Sequence, residues 1–291
     1  MFEQLGLIGC GLMGGSFALA LKRAGLTRRV VGYSKSPSTT ARARQMGVID
    51  IEAPSALEAV AGSDLVLLAV PVSATEASLA AIRHLVTPSM LIMDVGSTKC
   101  DVVEAAQRGL RDHVGCFVPA HPIAGKECAG VDHADADLYT GKQVILTPTG
   151  ATHPPQLQQA HDLWNALGCH VRTMSPERHD AAFAAVSHLP HLLAFAMMNG
   201  ITVQPDGNDF LALAGPGFRD FTRIAASDPT IWRDILMANR AELLAQSQRF
   251  THSLQVLEQA ISAGNSEALE NLIKQASTTR AGWTMATKHA S

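Results

Sequence analysis

The chain has 291 residues, of which 47% are hydrophobic and 17% are charged, and its formal net charge is −3. This length suggests about two globular domains, and the charge gives no reason to expect a nucleic-acid or membrane-surface partner. No apolar run reaches the roughly 18 residues of a membrane span, and the first residues lack the basic start of a signal peptide, so we expect a cytoplasmic protein.

The first predicted elements are a short buried strand over residues 5–8, a glycine-rich turn and a helix. Gly9, Gly11 and Gly14 form a G-x-G-x-x-G sequence between strand and helix, the context in which this motif binds a dinucleotide. Gly9 permits a tight turn, Gly11 a close approach of the pyrophosphate, and Gly14 close packing of the helix on the strand. The helix N-terminus offers N–H groups to the phosphates. The cofactor contacts predicted in this turn are Gly9, Gly11, Leu12, Met13 and Gly14.

Strands and helices continue to alternate up to residue 173. The predicted strands cover residues 29–33, 64–70, 90–95, 116–119, 143–146 and 169–173, and helices are predicted for residues 38–47 and 156–167. The two longest apolar runs among these strands are typical of parallel strands buried on both faces. Residues 1–173 are therefore predicted to form a Rossmann-like, doubly wound parallel α/β sheet that binds ligands at the strand carboxyl ends. Val70, Pro71 and Gly96 follow such ends and are further predicted cofactor contacts.

The rest of the chain has a helical pattern and no strand pattern. Residues 180–201 are nearly apolar all round, residues 231–263 carry apolar residues at sevenfold spacing, and residues 265–285 form another helical segment. A helix that is apolar on every side is deeply buried or shared with a partner. Because residues 174–291 offer little interior for such a helix, we expect an all-helical dimerisation domain and a homodimer.

The loop after the second strand bears on the choice of cofactor. NAD-binding enzymes usually place Asp or Glu here, where it accepts a hydrogen bond from the ribose 2′-OH. This chain has Ser34, Lys35 and Ser36 and no acid. Hydroxyl and ammonium groups hold a 2′-phosphate, which a carboxylate repels, so we expect NADP to be preferred over NAD. Two alternatives remain: Lys35 is a solvated loop residue, or Ser34 binds the 2′-OH of NAD.

Four polar stretches lie where core packing would not place them. They are residues 94–99 (DVGSTK), 121–127 (HPIAGKE), 187–191 (SHLPH) and 217–223 (GFRDFTR). Pro190 interrupts the apolar helix, because it removes a backbone hydrogen bond and bends the chain. A lone histidine in such a helix is usually a core residue, whereas His188 and His191 flank the bend beside Ser187 and make a site an equal alternative.

Arg219 and Arg223 are four residues apart, so on a helix they face the same way and repel each other slightly. An ion pair between Asp220 and Arg223 is the structural interpretation of this stretch. The functional interpretation is that two guanidinium groups bind an anionic substrate that carries carboxylates.

The cysteines give no sign of disulfides or metal. Five cysteines, an odd number with no C-x-x-C pair, predict reduced thiols. One set has a spacing that resembles a zinc site: Cys116, His121, Cys128 and His133. The prolines and glycines between them form no recognised zinc knuckle, and we expect no metal.

Taken together, the motifs resemble the prephenate dehydrogenase family of tyrosine biosynthesis, which includes cyclohexadienyl and arogenate dehydrogenases. They are G-x-G-x-x-G, D-V-G-S-x-K, H-P-I-A-G-x-E, S-H-L-P-H and G-F-x-D-x-T-R, in the family's order and over nearly the whole chain. Each motif alone is weak, whereas five in order are specific. The family's Rossmann-like domain followed by a helical dimerisation domain agrees with the periodicity of this chain.

The resemblance implies oxidative decarboxylation of prephenate or arogenate, with NAD(P) as hydride acceptor. Hydride leaves the ring carbon that bears the hydroxyl, carbon dioxide is lost, and the ring becomes aromatic. By position, His121 would accept the hydroxyl proton, and Ser97 would orient His121 and lie near the nicotinamide. Arg223 would hold the ring carboxylate, and His191 would contact the pyruvyl or alanyl side chain. The other pocket residues implied are Glu127, Ser187, His188 and Arg219.

Two other functions remain alternatives. A dehydrogenase of the 6-phosphogluconate or β-hydroxyacid type shares the two-domain plan, but it relies on a catalytic lysine in the helical half. Lys274 and Lys288, the only lysines after Lys142, lie in no G-x-x-x-K context. A non-catalytic NAD(P)-binding protein would have no need of the polar residues assigned above.

Overall fold

The computed structural model describes residues 1–126 and 128–284. By its internal contacts the chain divides into two compact units, Met1–Asn239 and Arg240–Ser291. The domain boundary expected between residues 173 and 174 falls within the first unit and stays a prediction.

The first unit contains a six-stranded parallel sheet. Its strands are β1 (Leu5–Ile8), β2 (Val30–Tyr33), β3 (Ile51–Glu52), β4 (Leu65–Leu68), β5 (Leu91–Asp94) and β6 (Phe117–Val118). Their order is β3-β2-β1-β4-β5-β6. The order reverses beside β1, which opens a crevice at the carboxyl ends of β1 and β4. The predicted Rossmann-like sheet is confirmed, although β3 lies in a segment for which no strand was predicted.

Both faces of this sheet are covered by helices. They are α1 (Leu12–Arg23), α2 (Pro37–Gln45), α3 (Ala56–Val60), α4 (Thr75–Ile82), α5 (Cys100–Leu110) and α6 (Pro154–Ala166). Alternate residues of a strand point to opposite faces: Leu65 and Leu67 belong to one hydrophobic core, and Val66 and Leu68 to the other. Burial on both faces explains the unbroken apolar sequence of β4.

A second, three-stranded sheet corrects the prediction of one continuous sheet. It consists of β7 (Ala120–Pro122), β8 (Gln143–Leu146) and β9 (His170–Thr173), in the order β7-β8-β9. Strand β7 is antiparallel to β8, and β8 is parallel to β9. Pro119 separates β6 from β7: it has no N–H for the first sheet, and its carbonyl accepts the Thr147 N–H at 3.0 Å. The chain therefore leaves the first sheet just before His121.

The apolar segment forms one continuous helical stretch with an internal irregularity. Helix α7 (Pro176–Phe183) runs through a π-helical turn at Ala184–His188 into α8 (Leu189–Thr202). The π turn ends directly before the turn that contains Pro190, so the wider helical register accommodates the missing proline N–H. This corrects the expectation that no segment reaches the length of a membrane span: by length and composition the stretch Pro176–Thr202 is apolar enough to cross a membrane, and 22% of its most apolar 18 residues is buried.

The remaining helices confirm the helical character of the C-terminal half. They are α9 (Gly207–Ala212), α10 (Pro216–Thr222), α11 (Pro229–Ala238), α12 (Arg240–Ser262) and α13 (Ser266–Gly282). The helical pattern noted over residues 231–263 is divided between two helices, because Asn239, with φ −100° and ψ 32°, separates α11 from α12. In the second unit α12 and α13 pack on each other. The predicted end of the last helix, at residue 285, lies outside the described residues.

Candidate active site

The turn between β1 and α1 has the shape that a dinucleotide pyrophosphate requires. Gly9 has φ +99°, and a Cβ atom there would lie 2.2 Å from the Ala69 carbonyl oxygen. A Cβ atom on Gly14 would lie 2.1 Å from the Gly9 oxygen, so both positions exclude a side chain. At Gly11, by contrast, no atom of the described residues other than its own chain neighbours lies within 4 Å of the Cβ position, and Gly11 at the N-cap has no side chain to cap α1. This open space beside a helix N-terminus fits a diphosphate.

The other predicted cofactor residues lie around the same crevice. Leu12 and Met13 begin α1, and the Met13 carbonyl accepts the Tyr139 hydroxyl at 2.7 Å. Val70 and Pro71 follow β4. Gly96 follows β5, and its N–H donates to Asp94 Oδ2 at 2.8 Å.

The loop after β2 is held by hydrogen bonds that leave its polar groups accessible. The Ser34 hydroxyl accepts the Cys10 N–H at 2.8 Å, and the Ser34 N–H donates to Thr40 Oγ1 at 3.1 Å. The hydroxyl hydrogen of Ser34 is still available for donation. Lys35 and Ser36 are exposed.

Asp94 and Lys99 join the end of β5 to the start of β7. The buried Lys99 ammonium group donates to Asp94 Oδ2 at 2.5 Å and to the Ala120 carbonyl at 2.9 Å. Asp94 Oδ1 accepts the Ala120 N–H at 2.9 Å. The backbone N–H and C=O groups of Ala120 thus both form hydrogen bonds with this buried ion pair, which fixes the backbone beside His121.

His121 begins a chain of hydrogen bonds that ends at a buried carboxylate. Its Nδ1 lies 2.8 Å from His179 Nε2, and His179 Nδ1 lies 2.7 Å from Asp180 Oδ1. Asp180 also accepts the backbone N–H groups of Lys99 and Cys100, each at 2.8 Å. These N–H groups belong to the N-terminus of α5, so Asp180 caps that helix as well.

Because Asp180 can only accept hydrogen bonds, it determines which nitrogen of His179 and of His121 carries a hydrogen. An ionised carboxylate only accepts, so His179 Nδ1 carries a hydrogen and its Nε2 is an acceptor when the ring is neutral. His121 Nδ1 must then donate to His179. In neutral His121 the remaining nitrogen, Nε2, is unprotonated. The geometry thus presents a proton acceptor at His121 Nε2.

Burial and the charges around His121, His179 and Asp180 favour those protonation states. Burial lowers the pKa of His121 well below its ordinary value, and the charges of His179, Lys99 and His188 act in the same direction. Burial also lowers the pKa of His179, against the opposing effect of Asp180. For Asp180 burial acts to raise the pKa, but hydrogen bonds from His179 and the α5 N-terminus outweigh it, and the pKa is lowered.

The π turn and the first turn of α8 contribute two further histidines to this region, His188 and His191. His191 Nδ1 lies 2.9 Å from the Ser187 carbonyl, and its ring stacks on Trp232 with centroids 3.4 Å apart. Burial lowers the pKa of His191, and the charge of Arg223 adds to this effect. His188 is buried at 1% exposure, and Asn239 Nδ2 lies 3.1 Å from its Nδ1.

The other predicted substrate residues differ in how closely they join this cluster. Arg223 acts electrostatically on His191, whereas Arg219 is exposed and pairs with Asp220 at 3.2 Å. Ser97 lies in the loop after β5, and the described residues give it no hydrogen bond to His121, whose Nδ1 is taken by His179. Glu127 lies outside the described residues.

Four residues of the cluster had no predicted role: His179, Asp180, Trp232 and Asn239. Their contacts join positions far apart in the chain, which spacing does not reveal. One signal was present, since His179 and Asp180 stand directly before the apolar residues 181–201. Within residues 1–126 and 128–284, no group of three or more His, Cys, Asp or Glu side chains has the arrangement of a metal site.

Comparison with known proteins agrees with the resemblance. Residues 17–173 match the prephenate dehydrogenase nucleotide-binding domain, and residues 175–275 match the prephenate dehydrogenase dimerization domain. The cyclohexadienyl dehydrogenase of Zymomonas mobilis is 34% identical over 96% of each chain. The prephenate dehydrogenase of Bacillus subtilis is 33% identical over 100% of this chain and 78% of its own.

Among solved structures, prephenate dehydrogenase from Aquifex aeolicus, in complex with hydroxyphenyl propionate and NAD+, superposes with a TM-score of 0.89. It is 36% identical, and the match covers 96% of this chain and 97% of the other. Similarity of this extent, in sequence and in structure, shows common membership. The chain belongs to the prephenate dehydrogenase family.

Proposed function

We propose that this protein catalyses the oxidative decarboxylation of prephenate, arogenate or both, with a nicotinamide dinucleotide as oxidant. The observation that carries the proposal is the series of hydrogen bonds from Asp180 through His179 to His121. It leaves an unprotonated nitrogen, His121 Nε2, beside the crevice where the glycine turn would hold the cofactor.

In this proposal His121 Nε2 accepts the proton of the substrate's ring hydroxyl as the carbon that bears it is oxidised. A low pKa keeps the ring neutral and able to accept. The proton enters a ring whose Nδ1–H already donates to His179, and Asp180 stabilises the charge that develops along the chain. Loss of the hydride and of this proton makes the carbon a carbonyl, the electron pair of the bond to the departing carbon dioxide makes the ring aromatic, and the phenolate oxygen takes a proton back to give the phenol.

Binding of the two substrate carboxylates is assigned to the helical part of the cluster. We propose that Arg223 binds the ring carboxylate, because a guanidinium group forms charge-assisted hydrogen bonds with such a group. His191 is held by Trp232 and the Ser187 carbonyl, in position to contact the substrate side chain. The exposed Arg219 would add positive potential, and Ser97 would contact the cofactor or the substrate rather than His121 Nδ1.

The bound cofactor supplies the hydride acceptor. Gly9, Gly11 and Gly14 would hold its pyrophosphate at the N-terminus of α1, in the open space described above. Val70, Pro71 and Gly96 would line the crevice on the side of β4 and β5.

We further propose that the loop of Ser34, Lys35 and Ser36 favours NADP. No carboxylate stands at this position, and Ser34 is followed by the exposed ammonium group of Lys35 and the exposed hydroxyl group of Ser36. The hydrogen of the Ser34 hydroxyl can be donated to a 2′-phosphate, because its oxygen already accepts from Cys10. The solved Aquifex relative contains NAD+, so we propose a preference and not exclusive use.

We propose a cytoplasmic homodimer built on the helical half. Large apolar side chains of this half are exposed, among them Val186, Val203, Phe210 and Leu213. The matched family domain is a dimerization domain. A second copy is a better partner than a membrane for the stretch Pro176–Thr202, since that stretch contains His179, Asp180 and His188, which are buried and polar.

The test of the activity is the initial rate with prephenate and with arogenate, each with NAD and with NADP. We expect turnover with at least one pair, and we expect His121→Asn to lower kcat by about 10²–10⁴ with a modest change in KM. His84→Asn, at an exposed histidine, is the matched control and should leave kcat unchanged. Near-normal kcat in His121→Asn would remove this residue from the mechanism.

A further inference from the structure

Asn239 stands at a place where its amide has a single favourable orientation. Its Nδ2 lies 2.8 Å from the Asp180 carbonyl oxygen and 3.1 Å from His188 Nδ1, and the side chain is buried at 4% exposure. The opposite amide orientation would set two oxygens against each other. Nδ2 therefore faces the carbonyl and donates one hydrogen to it.

The second hydrogen of this amide group is left for His188. Because Asn239 donates to Nδ1, His188 Nδ1 is an acceptor, and in the neutral ring the hydrogen must be on Nε2. Burial lowers the pKa of His188 to about 4, so the ring is neutral near pH 7. Asn239 thus determines which nitrogen of His188 carries the hydrogen.

Among the residues that the structure describes, the resulting Nε2–H group has no hydrogen-bond partner, although His188 is buried at 1% exposure. A buried donor without an acceptor is unfavourable, and such a group in a native protein calls for a physical explanation. His188 lies among the residues of the site: it lowers the pKa of His121, and its ring meets Trp232 edge-on with centroids 6.2 Å apart. An acceptor brought by a ligand to this cluster would complete the group.

We propose that Asn239 is a positioning residue that holds His188 in the Nε2–H form, so that His188 donates a hydrogen bond to a carbonyl or carboxylate oxygen of the substrate. The proposal concerning the ligand rests on the proposed function, whereas the protonation of His188 in the free protein does not. It also explains the helix break: the backbone at Asn239 leaves the helix where its side chain turns towards Asp180 and His188.

The first measurement is the ¹⁵N spectrum of the histidines in the ligand-free protein near pH 7. We expect His188, identified by the loss of its signals in His188→Gln, to show a pyridine-type Nδ1 and a pyrrole-type Nε2. In Asn239→Asp, whose carboxylate cannot donate, the assignment should reverse. A pyrrole-type Nδ1 in the wild type would overturn the role of Asn239.

The second measurement compares two substitutions of His188. Glutamine can place an N–H near the position of Nε2, whereas asparagine reaches only the position of Nδ1. We expect His188→Asn to raise KM, and the Kd of hydroxyphenyl propionate, by about tenfold to a hundredfold with a much smaller effect on kcat. His188→Gln should recover most of this loss, and Asn239→Asp should resemble His188→Asn.

The outcomes separate this proposal from the proposed function. Equal KM and Kd values in the wild type, His188→Asn and His188→Gln would show that the donor serves no ligand. If the wild type turns over neither prephenate nor arogenate, the proposed function fails, while the spectra still decide the role of Asn239. Binding of hydroxyphenyl propionate tests the donor without any turnover.

Discussion

At the scale of single residues, Asp180 is the group on which the protonation of His121 depends. In Asp180→Asn an amide N–H donor replaces either Oδ2, which faces the Cys100 N–H, or Oδ1, which faces both the Lys99 N–H and His179 Nδ1. Donation to His179 would reverse both histidines and leave His121 Nε2 protonated. We expect kcat/KM to fall by about 10²–10⁴, as for a misassigned tautomer in a catalytic triad. Steady-state kinetics of the folded variant measures this loss.

Glu177→Gln is the matched control for Asp180→Asn, since it removes the same charge from an exposed position on the same helix. It should leave kcat/KM within about twofold of the wild type, because surface changes away from the site have small effects. If Asp180→Asn folds and retains near-normal kcat/KM, the hydrogen-bond chain does not determine the protonation of His121.

The sequence alone predicted His121 from the order of the motifs, and His188 and His191 from the same order and from their position around Pro190. It did not predict His179 or Asn239, since their importance lies in contacts with residues 58 and 51 positions away. The role of Ser97 as the orienting partner of His121 is likewise a matter of contact, and the Nδ1 of His121 is occupied by His179. Side-chain partners of this kind follow from the packing of elements, which spacing does not encode.

At the scale of elements, the loop between β2 and α2 offers a compact test of cofactor preference. Ser34→Asp together with Lys35→Ala places a carboxylate where it accepts from a 2′-OH and repels a 2′-phosphate. The Cys10 N–H would keep an acceptor, because the new carboxylate can replace the Ser34 hydroxyl oxygen. A net change of about 1.4 kcal/mol is a tenfold change in preference. We expect the ratio of kcat/KM for NADP to that for NAD to fall at least tenfold; a lower KM for NAD than for NADP in the wild type would contradict the proposed preference.

Elements were predictable where one local pattern dominates. The buried strands β1, β4 and β5 follow from apolar runs, and the start of α2 follows from Pro37. The second sheet was not predictable, because Pro119 ends β6 in favour of a hydrogen bond to Thr147, far along the chain. The helix break at Asn239 was not predictable for the same reason. The apolar spacing continues across it, whereas the Asn239 side chain forms hydrogen bonds with Asp180 and His188, far away in the sequence.

At the scale of the whole molecule, the exposed apolar surface of the helical half predicts a dimer. Several large apolar side chains of this half are exposed, among them Val203, Phe210 and Leu213, the last at 84%, and extensive exposed apolar surface marks an interaction site. Sedimentation at micromolar concentration should give twice the 30.8 kDa mass of one chain. Leu213→Glu should weaken this association at least tenfold, because it would place an unpaired charge at the interface. Leu57→Glu, at an exposed leucine of α3, is the control; a stable wild-type monomer would contradict the proposed dimer.

The buried histidines also make the stability of the fold depend on pH. The pKa values of His121, His179, His188 and His191 all lie below the ordinary value of 6.5, and that of His188 is about 4. Their contribution is fully present above pH 6.5 and is lost as pH falls towards the folded values, since the unfolded chain takes up protons first. Each such histidine changes the free energy of unfolding by up to about 1.4 kcal/mol per pH unit within its window. The lowered pKa of Asp180 adds a loss of stability only below its ordinary value of 3.8, so it does not affect this range.

Urea unfolding between pH 8 and pH 4.5, at one protein concentration because a dimer's stability depends on it, measures this effect. The free energy of unfolding should be nearly constant down to about pH 6.5 and then decline ever more steeply as the pH falls. His188→Gln removes one of these groups, so its curve should fall less steeply by up to about 1.4 kcal/mol per pH unit. A free energy that does not change between pH 7 and pH 5 would mean that the histidine cluster takes up protons as readily in the folded protein as in the unfolded chain. In that case burial would not keep His121 neutral, and its role as proton acceptor would have to depend on the substrate.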